Sequence, residues 1–260
     1  MGTFVLPELI PSSNIRPENH IIQSVWIGNY LSAMESLCIR SFISNGHEFH
    51  LYVHGECSGV PNGTVIKDAN EILDGSEISK FRSVTIFSDL FRYLLLKRGI
   101  SPWYVDMDTI ALRPFDFSEE YIFASEFLQS GQRLVDNGIL KMPHDSAILS
   151  ELINRCYQQD PMNPSGNLSH GALAMGPELM TELAEKFNLL EHVKAPAVFT
   201  GIVPWEIPQT FVDPTYSANL MEAYASHMWQ SRWTTTGQDK NGVYPSKSLF
   251  EILKQRYPSV

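Results

Sequence analysis

Between Phe87 and Asp108 the chain sets an amphipathic helix, a short turn and a strand that ends in two carboxylates. Phe87, Leu90, Phe91, Leu94 and Leu95 recur at i, i+3, i+4, i+7 and i+8, an apolar stripe that must be covered by a sheet or by other helices. Ser88, Asp89 and Arg92 share a different arc of the same helix, because residues three and four apart are neighbours. Trp103-Tyr104-Val105 then predicts a buried strand, carrying Asp106 and Asp108 at its end. Residues i and i+2 of a strand point the same way, so both carboxylates can reach one ion. At the carboxyl end of a sheet strand they would lie where ligands bind in open α/β folds. Such a hard-oxygen pair suits a divalent cation, and a cation held there suits the charge of a diphosphate. The competing reading is a solvated turn after a strand, where Asp is common; a bare D-x-D is a short motif.

The rest of the chain extends the alternation. Ile21 to Ile27 predicts a first strand, stopped by Gly28-Asn29. Leu31, Met34, Leu37, Cys38 and Phe42 follow helical spacing up to Asn45-Gly46, and Phe49 to Val53 predicts a second strand. Val65-Ile66 predicts a short third strand, leading into a small helical segment from Asp68 to Leu73. Later come a strand at Tyr121 to Ala124, a helix with Ile148, Leu149, Leu152, Ile153 and Cys156, and a helix opened by Pro177. Ser246 predicts the cap of a last helix reaching about Gln255. Strands alternating with helices imply an α/β fold with a mostly parallel central sheet flanked by helices. Residues 1–19 read as a loose lead-in, 195–260 as an irregular C-terminal part, and 1–260 as a single domain.

Charge narrows the partners. Nineteen Lys and Arg against 29 Asp and Glu leave a formal balance of −10, which argues against a sequence-independent hold on nucleic acid or broad attachment to anionic lipid. Cys38, Cys57 and Cys156 are widely spaced without C-x-x-C, so reduced thiols are expected and a disulfide framework is not. The start, Met1-Gly-Thr-Phe-Val-Leu-Pro, lacks a basic n-region and a long apolar core, and no uninterrupted apolar run is long enough to span a bilayer. A soluble protein is expected, cytoplasmic or peripheral to the membrane. The sequon Asn167-Leu168-Ser169 carries no weight without a secretory leader.

The segment from Ser88 to Asp108 resembles the S-D-x-x-R-x-x-x-L … G-G-x-Y-x-D-x-D pattern of D-x-D sugar transferases. The families it looks most like are the family 32 type, the α-1,4-galactosyltransferase-like enzymes and the glucosyltransferase domains of clostridial toxins. Val25-Trp26-Ile27-Gly28 is similar to their opening strand, Phe49 to Val53 to their second, and Leu112-Arg113-Pro114-Phe115 to the stretch after the D-x-D. Asn137-Gly138-Ile139 resembles their N-[AG]-[AIF], and His227-Met228-Trp229 a C-terminal H-x-W. One departure is the turn Arg98-Gly99-Ile100-Ser101-Pro102, which stands where the family has Gly-Gly and is longer and stiffer.

The resemblance implies a glycosyltransferase A-type fold and a retaining, metal-dependent transfer of a hexose from a nucleotide diphosphate sugar to a glycan hydroxyl. Uridine diphosphate is the common donor among the relatives, and the acceptor would be a carbohydrate, free or lipid-linked. Trp26 would stack on the base, or be an ordinary core Trp. Asp108 would bind Mn²⁺ or Mg²⁺, and Asp106 would reach the ribose, the sugar or the ion. Ser88, Asp89 and Arg92 would hold the donor sugar and its phosphate edge, or Asp89 and Arg92 form an exposed ion pair. Tyr104 would sit beside the nucleotide, and Asn137 would line the sugar or acceptor side, or belong to an Asn-Gly turn. His227 would be a third metal ligand or a structural histidine. Two other readings stand beside this one. Asp106-Met107-Asp108-Thr109 also fits the D-x-D-x-T of aspartate-nucleophile phosphatases, and a non-catalytic sugar-nucleotide-binding protein would keep the same residues.

Overall fold

The computed structural model describes residues 2–9, 14–165 and 173–259; the sequon at Asn167 lies outside them. In chain order the strands are β1 (Phe4–Val5), β2 (Ile21–Trp26), β3 (Glu48–Val53), β4 (Thr64–Asp68), β5 (Trp103–Val105), β6 (Thr109–Ala111), β7 (Ile122–Phe127), β8 (Arg133–Lys141), β9 (Ala218–Asn219) and β10 (Ala225–His227). The helices are α1 (Pro17–His20), α2 (Ala33–Ser44), α3 (Val84–Lys97), α4 (Ala147–Gln158), α5 (Pro177–Lys186), α6 (Pro196–Phe199), α7 (Gln209–Val212), α8 (Gln230–Thr236) and α9 (Leu249–Arg256).

Six strands form the central sheet in the order β4-β3-β2-β5-β8-β7. The pairs from β4 to β5 are parallel, but β8 runs antiparallel to both β5 and β7. The sheet is therefore mixed: three of its five pairings are parallel, as expected of a mostly parallel sheet, and β8 alone runs against the other strands. The cause is β8. Its middle, Asp136-Asn137-Gly138, has turn-type composition and lies in a nearly buried strand; Asp136 pairs with Ala124, while Asn137 and Gly138 fall at an irregularity where the β7–β8 register shifts. Asn137 accordingly belongs to a strand, not to an Asn-Gly turn.

The two sides of the sheet bury different sets. Phe87, Phe91, Leu95, Ile148, Leu152, Met180 and Leu183 pack helices α3, α4 and α5 against one side. Ile39, Phe42, Phe49, Trp103, Phe115 and Phe199 fill the other. Local signals set the helix starts. Ser32 and Glu35 make a capping box at α2, and Ser83 Oγ accepts from the Ile86 N–H at α3. The last helix is capped by Ser248, not Ser246. The atypical turn before β5 is tied down: Ser101 Oγ donates to Ile21 O and Gln23 Nε2 donates to Ser101 O. Tyr104 thereby lies opposite Gln23, in register with β2.

Residues near the N-terminus are integrated as well. β1 pairs with β9, and buried Asn19 accepts from Trp103 Nε1 while donating to Asp116 and Phe117 O. Beyond the sheet, β10 pairs antiparallel with β6, placing His227 opposite Thr109. Cys38, Cys57 and Cys156 are free thiols. Among the described residues no helix is long and apolar enough to cross a membrane.

Candidate active site

A cavity of about 410 Å³ opens at the end of the sheet where β2 and β5 terminate. All nine residues expected at a site line it: Trp26, Ser88, Asp89, Arg92, Tyr104, Asp106, Asp108, Asn137 and His227. β5 delivers Asp106, whose N–H donates to Gly138 O at 2.7 Å. The β6–β10 pairing brings His227 from far along the chain, with Nε2 3.0 Å from Asp108 Oδ1. One ligand atom from each of Asp106, Asp108 and His227 lies within 4.8 Å of the others. Two carboxylates and an imidazole form a donor set that could hold a divalent cation.

Arg92 organises the second cluster. Only 3% exposed, it donates to Asn137 O at 2.7 Å and to Ser88 O at 3.2 Å, pairs with Asp89 and Asp106 at 3.3 Å each, and lies over the Tyr104 ring. The Asp89–Arg92 pair is thus buried, not exposed as the alternative reading had it. Asn137 Nδ2 donates to Asp89 Oδ1 at 2.8 Å, and Tyr104 OH donates to Asp106 Oδ1 at 2.9 Å. Asp89 Oδ2 is left buried with no hydrogen-bond partner among the described residues.

The charges follow from this geometry. Burial pushes Asp89 up to about 6, against the pull of Arg92 and Asn137. Burial also raises Asp106, with Asp108 adding to it and Arg92 opposing. Asp108 goes the other way: burial would raise it, but His227 and the Gln230 N–H, which donates to Oδ2 at 2.7 Å, hold it below the usual range. Burial would lower His227, but Asp108 and Asp136 outweigh it and raise its pKa.

Several participants are invisible in the sequence. Asp136 Oδ2 lies 3.4 Å from His227 Nδ1, an ion-pair distance without a hydrogen bond between them, while its Oδ1 accepts from the Gly138 N–H. Trp229, quoted only as the end of H-x-W, stacks on His227 with ring centres 4.0 Å apart. It holds a left-handed backbone, φ 53°, and its Nε1 is a buried donor without a partner among the described residues. Glu126 of β7 also lines the cavity. Two glycines permit the close approach: a Cβ on Gly138 would lie 2.8 Å from Asp106 Oδ2, and one on Gly176 3.0 Å from both Asn137 Nδ2 and Asp89 Oδ2. Trp26 is only half-buried; its Nε1 donates to Tyr30 O, and Lys240 Nζ sits 5.4 Å over the ring while pairing with Glu35.

No protein-family model matches the chain, and no curated protein matches it. Among the solved structures similar to it are three glycosyltransferase structures. "PaToxG Glycosyltransferase" aligns over 93% of this chain and 86% of that chain at 14% identity, TM-score 0.47. The ligand-free and UDP-bound glycosyltransferase domains from the YGT toxin each align over 76% of this chain and 83% of that chain, at 8% and 9% identity and TM-scores of 0.49 and 0.48. At these scores the reading of the site rests on its own side chains.

Proposed function

We propose that the protein is a retaining, metal-dependent glycosyltransferase that moves a hexose from a uridine diphosphate sugar to a glycan hydroxyl, as a single catalytic domain acting in the cytoplasm or at a membrane surface. The observation that carries the reading is the convergence, on one cavity, of the Asp106–Asp108–His227 cluster and the Ser88–Asp89–Arg92–Asn137 cluster, with an aromatic face at the edge. Trp26, whose one flank is backed by Lys240, offers that face to the base. Asp106, Asp108 and His227 would hold Mn²⁺ or Mg²⁺, which when bound neutralises charge on the leaving diphosphate. Arg92 fixes Asp106 and places a permanent positive charge beside the phosphates. The unpartnered Trp229 N–H is available to an anionic oxygen, and Asp89 Oδ2 to a sugar hydroxyl. The acceptor hydroxyl attacks from the face the diphosphate leaves, and the diphosphate takes its proton.

Retention needs no enzyme nucleophile on this route. The phosphatase reading would use Asp106 as one, but Asp106 is already engaged by Arg92 and the Tyr104 hydroxyl, and no lysine lines the cavity among the described residues. Thermal shift with UDP-glucose, UDP-galactose and UDP-N-acetylglucosamine, with and without Mn²⁺, tests donor binding; saturation at 100 times Kd stabilises by about 2.7 kcal/mol. Asp108→Ala and Asp106→Asn should stay folded and lose the Mn²⁺-dependent shift and donor hydrolysis. Full activity in either variant would sink the assignment.

A further inference from the structure

The groups assigned so far leave one end of the cavity without a role. Site residues stand in strand order across a single end of the sheet: Trp26 closes β2, Asp106 follows β5, Asp136 and Asn137 lie on β8, and Glu126 lies on β7. Neighbouring strands are about 4.8 Å apart, so Glu126 sits roughly 10 Å beyond the strand of the carboxylate pair, on the side away from Trp26. A nucleotide sugar is a linear molecule of base, ribose, diphosphate and hexose. With the base at Trp26 and the diphosphate at Asp106, Asp108 and His227, the hexose falls over β8. What meets Glu126 is whatever approaches the hexose from outside.

Glu126 is also a side chain without a hydrogen-bond or ion-pair partner among the described residues. It is 6% exposed and lines the cavity. In the β7–β8 register Ala124 opposes Asp136 and Glu126 opposes Leu134, so Glu126 and Asp136 rise from the same face as diagonal neighbours. No hydrogen bond or salt bridge holds the Glu126 carboxyl among the described residues. Burial and Asp136 push it up to about 8, against His227 and Arg232. Its carboxyl faces the cavity, where a ligand hydroxyl can donate to it. An anionic group would be repelled, because Asp89, Asp106, Asp108, Asp136 and Glu126 line the cavity, and among its described lining residues only Arg92 and His227 can carry positive charge.

We propose that Glu126 is the contact for the attacking hydroxyl, orienting an uncharged acceptor hydroxyl, or water, through hydrogen bonds to its carboxyl. The inference rests on the glycosyltransferase reading above. The bond formed joins the acceptor oxygen to the anomeric carbon; the bond broken joins that carbon to the diphosphate, which leaves with the electron pair and takes the proton.

Hydrolysis of UDP-hexoses in the presence of Mn²⁺, with water as acceptor, provides the test, alongside the thermal shift given by UDP and Mn²⁺. Glu126→Ala should lower turnover about 10- to 100-fold, the range set by one or two hydrogen bonds, and leave the UDP shift unchanged. Glu126→Gln keeps a donor and an acceptor in the same place and should restore most of the turnover. Unchanged turnover in Glu126→Ala overturns the proposal, as does a parallel loss of the UDP shift, which would mark a structural role. Equal damage in both variants also overturns it, because the carboxylate would then be taking the proton itself. A wild-type protein that neither binds UDP nor hydrolyses any UDP-hexose refutes the glycosyltransferase reading first, and the role of Glu126 with it.

Discussion

At Gly138 the site leaves no room for a methyl group. The position carries no side chain because Asp106, Asp136 and His227 crowd the space a Cβ would fill. Gly138→Ala leaves an ordinary strand conformation available, so the fold should survive with a loss of about 1–3 kcal/mol from overpacking. The Asp106 carboxylate, however, must move, and misplacing a group at the reacting centre costs on the order of 10²-fold. We expect Mn²⁺-dependent donor hydrolysis to fall by that factor while urea unfolding remains cooperative. Unimpaired hydrolysis would mean that Asp106 does not need its observed position. The sequence offers Asp106 and Asp108 as candidates through their spacing at a strand end together with the neighbouring Ser88, Asp89 and Arg92 and the resemblance they carry. It offers no sign that a glycine on another strand makes room for them.

Helix α3 serves two demands at once. Its apolar stripe builds the core, and its opposite arc carries Ser88, Asp89 and Arg92 into the cavity. Both faces are legible because helical periodicity is a local property. The electrostatic consequence is not local, since the burial of Asp89 depends on β8 and α5. With its pKa raised to about 6 in the fold and near 3.9 unfolded, Asp89 binds its proton more tightly when folded. That contribution is present at low pH and is lost as pH rises through 6, reaching up to about 3 kcal/mol. Asp89→Asn should therefore be more stable than wild type above pH 6 and equal to it below about pH 4, while losing donor binding. Denaturant midpoints at pH 4 and pH 7 check this; equal midpoints at both would rule out a buried, strained carboxylate. Strand β8 is the converse case. Asp136-Asn137-Gly138 has the composition of a turn, and it stays within a strand because the flanking residues pair, Ile139 to Lys141 with β5 and Arg133 to Asp136 with β7.

Across the whole molecule, long-range polar contacts join segments that no local pattern connects. Buried His47 accepts at Nε2 from the Phe115 N–H and contacts Asn19 O through Nδ1, linking the start of β3 to α1 and to the stretch after β6. Burial holds its pKa down to about 4, so it folds neutral. Its contribution is complete above pH 6.5 and falls as pH drops to 4, by on the order of 3 kcal/mol. His47→Gln should flatten the stability profile between those values, measured as the change in unfolding free energy; an unaltered slope would place the acid sensitivity elsewhere. The same long reach creates the site. The sequence by itself determined the alternating elements and the α3 arc, and it marked Asp106 and Asp108 as a pair, because periodicity, caps and i, i+2 spacing are set by near neighbours. Tertiary structure alone decided the direction of β8, the approach of Asp136 to His227, the spare donor of Trp229 and the place of Glu126. Those depend on which distant strands lie side by side, a choice made by burial over the whole chain.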